Sequence, residues 1–219
     1  MKPSVYIAIP ARDFLYPETV EGLLQAVKLL QKEGYEYHVD FHIGNPYVGQ
    51  ARSIMCACFL DMLYDELFFI DADVVFTGEN FMRILSHDVD LVGGLYPFRF
   101  EVAPVPIANF KERMPKIDES GLTETVDLAT GFMRIRRTVI ESMVEKHPEL
   151  ETTKCTRSGR PISMIFDSGF QSPGTWTGED YMFCRRWLDM GGKIYSDTTV
   201  QLGHIGRKIY RIKPDFFVC

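Results

Sequence analysis

The chain opens with a short apolar run, residues 5–9 (VYIAI), that Pro10 interrupts, and this predicts a first strand. Pro17 is placed to open a helix in which Val20, Leu23, Leu24, Val27 and Leu30 recur at helical spacing, and Gly34 is its stop. The next stretch, YEYHVDFHI, alternates. Tyr35, Tyr37, Val39, Phe41 and Ile43 fall on one side, with Glu36, His38, Asp40 and His42 on the other. That pattern predicts a strand with one buried and one wet face, ended by Gly44-Asn45-Pro46. A second helix over residues 48–63 and a third strand over 67–71 follow. Strand, helix, strand, helix, strand is the order of a parallel α/β sheet with right-handed crossovers. Ligands of such sheets bind beyond the carboxyl ends of the strands, where Pro10–Arg12, Gly44-Asn45 and Asp71–Asp73 all fall.

Beyond an apolar segment at 91–93 the rhythm changes. Residues 101–122 are rich in Pro, Lys and Glu and read as a loop over the site. Residues 127–137 read as a strand entering a helix that continues to about 145, and 146–173 read as irregular. A last helix near 181–190 ends at Gly191-Gly192, and a strand runs through 200–202. No repeat or long linker divides the chain, so residues 1–219 are expected to form a single domain.

Composition narrows the function classes. The 46% hydrophobic and 25% charged content is that of a globular protein, and a net charge of −6 gives no reason to expect a nucleic-acid partner. No apolar run approaches the roughly 18–20 residues of a membrane span, and no small-residue cleavage site follows the first strand. A cytoplasmic protein without a cleaved signal is the expectation. Cys56, Cys58, Cys155, Cys184 and Cys219 are odd in number and lack metal-finger spacing, which predicts reduced thiols.

The candidate chemistry begins in LFFIDADVVF. In an extended segment Asp71 and Asp73 project to the same side, and two carboxylates in apolar surroundings repel unless they share a proton or a divalent cation. Oxygen ligands of this kind suit Mg²⁺ or Mn²⁺. The plainer alternative is one Asp capping a turn while the other is exposed. In TWTGEDYMFCRRW, Glu179 and Asp180 begin a helix, where the dipole favours acids; they are either a helix-start pair or groups that orient and deprotonate a hydroxyl. His204, between glycines in QLGHIGRK, is expected in a turn after a strand, with Arg207 and Lys208 making an anion site plausible. Arg52, in the first turns of the second helix, is either a surface residue or a contact to a nucleotide or its phosphates.

Taken in order, IPARD, GQARS, FFIDADVVF, ATGFMRIRR, WTGEDYMFCRRW and LGHIGR resemble the GT-A glycosyltransferases, which use nucleotide-sugar donors. The resemblance implies an α/β, Rossmann-like GT-A fold with a mostly parallel central sheet flanked by helices. It implies that Asp71 and Asp73, with Ala72 between them, hold a metal on the donor diphosphate and that His204 is a further ligand. Pro10, Ala11 and Arg12 would embrace the nucleobase and ribose, with Asn45 and Arg52 also on the donor side. Glu179 and Asp180 would face the acceptor. The implied partners are a nucleotide-sugar, uridine being the favoured base, and a hydroxyl of a glycan or small molecule; the implied cofactor is Mn²⁺ or Mg²⁺. Asp180 is then the candidate base and Glu179 an acceptor contact. Arg207 would assist the leaving diphosphate, Gly131 and Phe132 would let the sugar approach, and Trp176 would either stack on a sugar face or simply pack.

The Trp-x-Gly-Glu-Asp core is similar to the inverting β-1,4-galactosyltransferases. The run from there through Gly-His to Arg-Lys is similar to the retaining polypeptide N-acetylgalactosaminyltransferases, so stereochemistry stays open. The small size suggests a minimal catalytic domain, which leaves room for a larger multidomain protein.

Three rivals stand beside this reading. A sugar-nucleotide pyrophosphorylase would want a glycine-rich phosphate loop after the first strand, and IPARDF has no glycine. An Asp-x-Asp phosphatase would want its acids on the first strand. A non-catalytic nucleotide-sugar or sugar-binding domain would retain the motifs without turnover.

Overall fold

A computed structural model describes residues 2–99 and 106–212. Cys219 lies outside them, as does the 101–105 portion of the expected loop. In the first half the expected elements appear in the expected order. Strand β1 (Val5–Ala11), helix α1 (Pro17–Glu33), β2 (Tyr37–Ile43), α2 (Val48–Asp61) and β3 (Glu66–Ile70) follow in order. Pro17 occupies the first turn of α1, and Gly34 closes it with φ 72°, its amide reaching the carbonyls of Leu30 and Gln31. That left-handed conformation is one that glycine adopts without a steric penalty.

Among the described residues the central sheet has eight strands in the order β2-β1-β3-β8-β5-β13-β7-β6. Its other members are β5 (Leu91–Gly94), β6 (Ala108–Phe110), β7 (Leu122–Leu128), β8 (Phe132–Arg136) and β13 (Ile194–Asp197). Only β7 and β8 run against the remaining six strands, so the sheet is mostly parallel, as expected for the fold class. The expected single strand at 127–137 is in fact the end of β7, a turn at 129–131, and β8. Helices α1 and α3 (Gly78–Ser86) cover one face, and α2, α4 (Arg137–Lys146) and α5 (Glu179–Asp189) cover the other.

Alternation along β1 and β3 feeds both layers. Tyr6, Ala8, Leu67 and Phe69 join Met55, Phe59, Val139 and Phe183, while Val5, Ile7, Ile9, Phe68 and Ile70 join Leu23, Leu30, Phe81 and Ile84. This burial of apolar area on both faces is the main stabilising contribution.

Several segments depart from expectation. On β2 the alternation is broken: Asp40 is buried, whereas Phe41 and Ile43 are exposed. β2 is an edge strand among the described residues, and Asp40 is compensated by the Tyr6 hydroxyl at 2.5 Å and by Arg157. The region read as irregular holds one hairpin, β9 (Glu151–Lys154) with β10 (Pro161–Ser163), and the first strand of a second, β11 (Gly169–Ser172), which pairs with β12 (Thr175–Thr177) just beyond it. Residues 200–202 are a loop. The strand comes next, and β14 (Gly203–Ile205) pairs with β15 (Ile209–Arg211) and with β4 (Val74–Val75). Cys56, Cys58, Cys155 and Cys184 are free and buried, consistent with reduced thiols. Among the described residues no helix is long and apolar enough to cross a membrane.

Candidate functional site

The carboxyl ends of β1 and β3 open onto a cavity of about 200 Å³ whose lining includes Pro10, Ala11, Arg12, Asn45 and Asp71 to Asp73. The three segments singled out by strand order therefore do converge.

Asp71 and Asp73 are not on an extended segment. The Val74 amide bonds back to the Asp71 carbonyl at 3.2 Å, closing a turn, so the two side chains diverge to different partners. The turn is clamped from three directions. The Thr19 hydroxyl donates to the carbonyls of Ala72 and Val74, and the Tyr16 amide to that of Ala72. The Asp71 amide bonds the Gly131 carbonyl, and the Ile205 amide bonds the Asp73 carbonyl. Helix α1, the β7–β8 turn and β14 thus fix one another through this tripeptide.

Asp71 faces Arg52. The buried guanidinium donates to both oxygens of Asp71 at 2.8 and 3.0 Å and to Glu179 at 2.5 Å. Burial works against its charge, but Asp71, Glu179 and Asp180 outweigh that and hold its pKa above the usual value. Arg52 is neither a surface residue nor, in this arrangement, open to a nucleotide; it ties the Asp-x-Asp turn to the start of α5. Gly131 is needed here for a reason other than sugar access. A Cβ on it would lie 2.4 Å from the Tyr96 hydroxyl and 2.5 Å from Asp71 Oδ2. Phe132 is fully buried core.

Asp73 faces His204 and Arg99. His204 sits within β14 rather than in a turn, and is buried. Its Nδ1 lies 2.9 Å from the Pro97 carbonyl, which can only accept, so Nδ1 carries the proton and the Nε2 lone pair accepts from the Arg99 guanidinium. Burial lowers the His204 pKa, and Arg99 adds to this against Pro97 and Asp73. Burial and the neighbouring Asp71 raise that of Asp73, against Arg99 and His204. Nε2 and Asp73 Oδ1 are 3.7 Å apart, a nitrogen and oxygen donor pair of the kind Mn²⁺ accepts. Among the described residues no three His, Cys, Asp or Glu side chains form a metal-binding cluster, and Asp71 is turned onto Arg52. Arg99 and Tyr96, which complete this corner, were not singled out from sequence. They follow β5 in LYPFRF, another carboxyl end of the sheet, and that position was the available signal.

Asp180 lies in the first turn of α5 with its Oδ1 on the Tyr181 amide at 2.9 Å. Its pKa is raised to about 6, first by burial and then by Glu179 and Asp71, against the pull of Arg52. A carboxyl tuned to this range can accept a proton near neutral pH. Glu179 also lines a second cleft of about 470 Å³, with Tyr47, Gln50, Phe166 and Asp167. Pro46 and Val48 border both clefts, so the start of α2 is the wedge between them. Gly49 permits this packing, since a Cβ there would lie 2.1 Å from the Phe166 carbonyl.

Two expected residues stand apart. Trp176 is 61% exposed on β12, edge-on to Phe170 at 5.1 Å, so it is not a core packing residue. Arg207 is exposed in the β14–β15 turn and is not among the residues lining either cleft.

Comparison with protein-family models gives no match, and comparison with curated proteins gives none. Solved structures with a similar layout include a Drosophila β1,4-galactosyltransferase 7 variant in complex with manganese, UDP-Gal and xylobiose (TM-score 0.45, 11% identity, 96% of this chain and 72% of that one). Another is the inositol-1-phosphate CTP transferase of T. maritima (TM-score 0.44, 12% identity, 94% and 91%). A third is a glycosyltransferase involved in glycosylation of the major capsid of PBCV-1 (TM-score 0.36, 10% identity, 66% and 67%). Likenesses of this degree assign neither activity nor substrate to this chain.

Proposed function

We propose that the chain is a GT-A-type glycosyltransferase. It moves a sugar from a nucleoside diphosphate donor, a uridine nucleotide being favoured, to an acceptor hydroxyl with the help of Mn²⁺ or Mg²⁺. The observation that carries this reading is a charged cluster that joins two neighbouring clefts: Asp71 and Asp73 line one, Glu179 lines the other, Arg52 bridges Asp71 to Glu179 with Asp180 in its field, and Arg99 and His204 meet Asp73. With all four acids ionised, the group has an excess of two negative charges, which suits a divalent cation.

Asp73 and His204 would hold the ion. When bound there beside a diphosphate it would neutralise charge gathering on the leaving group. The cleft formed by Pro10, Ala11, Arg12 and Asn45 receives the nucleoside, and the neighbouring cleft receives the acceptor. Glu179, fixed by Arg52, binds an acceptor hydroxyl. Asp180 takes the proton from the attacking hydroxyl as its oxygen bonds to the sugar's anomeric carbon and the bond to the diphosphate breaks. A raised carboxyl in that place favours this direct, inverting course. Trp176, exposed two residues before Gly178, is available to stack on the acceptor.

The test is a panel of nucleotide-sugars with and without Mn²⁺, read by thermal unfolding and by slow hydrolysis of the donor. Stabilisation that requires both components, together with hydrolysis, is expected, since a bound ligand raises apparent stability by mass action. Binding without any turnover in the presence of acceptor panels would instead indicate a binding domain, and conversion of a sugar-nucleotide plus added pyrophosphate to a nucleoside triphosphate and a sugar 1-phosphate would indicate a pyrophosphorylase.

A further inference from the structure

Resting on that reading, we infer that Arg99 occupies the cation's place and makes binding of the divalent ion and of the diphosphate mutually dependent. The guanidinium donates from Nη2 to Asp73, and lies 2.7 Å (Nη2) and 3.1 Å (Nε) from His204 Nε2. These are the same two groups whose chemistry fits the ion. Because Nδ1 of His204 is committed to Pro97, Nε2 has one lone pair, and it cannot serve an N–H donor and a metal at once. Ion and guanidinium therefore exclude each other at a single atom.

The contact is built into the fold. The stem of Arg99 lies over Gly206, where a Cβ would come 3.0 Å from its Cδ and 3.6 Å from its Cγ. Gly206 belongs to the same turn that follows His204, so one short segment supplies both the imidazole and the groove for its competitor.

The displaced charge then needs a partner. Arg52 already holds Asp71 and Glu179, so those acids are compensated. An arriving diphosphate brings new anionic oxygens to a cleft that Asp73 itself borders. Arg99 is 44% exposed along its side chain, so it can turn from Asp73 to a phosphate without first leaving a buried setting. An ion arriving alone must strip Arg99 from two partners and leave it unpaired. An ion arriving with a diphosphate exchanges those partners for another. Such coupling is reciprocal, and typical coupling between two ligands is about 5- to 150-fold in affinity.

Calorimetric titration of MnCl₂ into the wild-type protein and into Arg99→Ala, each with and without UDP, tests the inference, with thermal unfolding confirming that the variant is folded. Without UDP the variant is expected to bind Mn²⁺ about 10-fold or more tighter than wild type, within the usual range of such coupling. The gain that UDP gives to Mn²⁺ affinity should be smaller in the variant. Arg99→Lys keeps the charge without the fork and should fall between the two. If wild type binds Mn²⁺ with UDP and Arg99→Ala binds Mn²⁺ alone no tighter than wild type does, the inference fails and the proposed function stands. If neither protein binds Mn²⁺ in the presence of UDP, the metal assignment and the inference fail together.

Discussion

Replacing Arg52 by Met keeps the length and apolar stem of the side chain and removes its charge. Three acids, Asp71, Glu179 and Asp180, are then left around an uncharged thioether. Removing one partner of a fully buried ion pair costs about 3–5 kcal/mol. Here the guanidinium is 3% exposed but the Asp71 and Glu179 side chains are 25% and 22% exposed, so water recovers part of the loss. A destabilisation of about 2–3 kcal/mol at pH 8 is therefore expected.

The sign of the pH dependence follows from the raised acids. A carboxyl whose folded pKa lies above its unfolded value favours the fold most fully below the unfolded value. That contribution is lost as pH rises through the folded one. Asp180 is already raised to about 6 with Arg52 pulling it down, and without Arg52 it rises further. The gap between Arg52→Met and wild type should thus be large at pH 8 and shrink towards pH 5. Urea unfolding at the two pH values measures it. Equal stability at pH 8 would refute the charge-bridge account, and a gap of the same size at both pH values would reduce Arg52 to a packing residue.

Other outcomes follow from the same geometry. Asp180→Asn should leave Mn²⁺-dependent UDP binding intact and lower transfer by about 100-fold or more. Wild-type kcat/KM should rise with pH through about 6, and that limb should vanish in the variant; an unchanged profile removes Asp180 from proton transfer. Asp73→Asn should abolish Mn²⁺-dependent UDP binding by calorimetry while the far-ultraviolet circular dichroism stays native. Chelating the metal should do the same to wild type. Gly131→Ala places a methyl group against Tyr96 and Asp71 and should cost about 1–3 kcal/mol of unfolding stability, read by thermal melts.

Much of the first half of the fold was legible because β1 and β3 are short continuous apolar runs and α1 has helical spacing between Pro17 and Gly34. Helix α3 was missed, although Thr77 and Asn80 cap it reciprocally and Phe81, Ile84 and Leu85 are buried at helical spacing. The short hairpins β9–β10 and β11–β12 are mostly exposed, so no buried face marks them in sequence.

In the site, the positions of the acids were legible and their partners were not. Asp71 and Asp73 read as a matched pair, yet their partners Arg52 and Arg99 lie 19 residues before and 26 residues after them. An arginine following an apolar segment gives no local sign of what it will meet across the sheet. His204 was expected in a turn and lies instead in a strand, because β14 is held by pairing with β4, far earlier in the chain.

The ion pair between Asp40 and Arg157 has a bearing on how the sheet's outer edge behaves. An edge strand with Phe41 and Ile43 on its surface invites pairing with another chain or a slip of its own register. A slip of one residue would turn Asp40 outward and leave the Tyr6 hydroxyl and Arg157 without their acceptor. The buried carboxylate thus works as a register pin, and the same lock keeps Ile43 and the cleft-lining Asn45 beyond it in step with Ala11 across the mouth of the site.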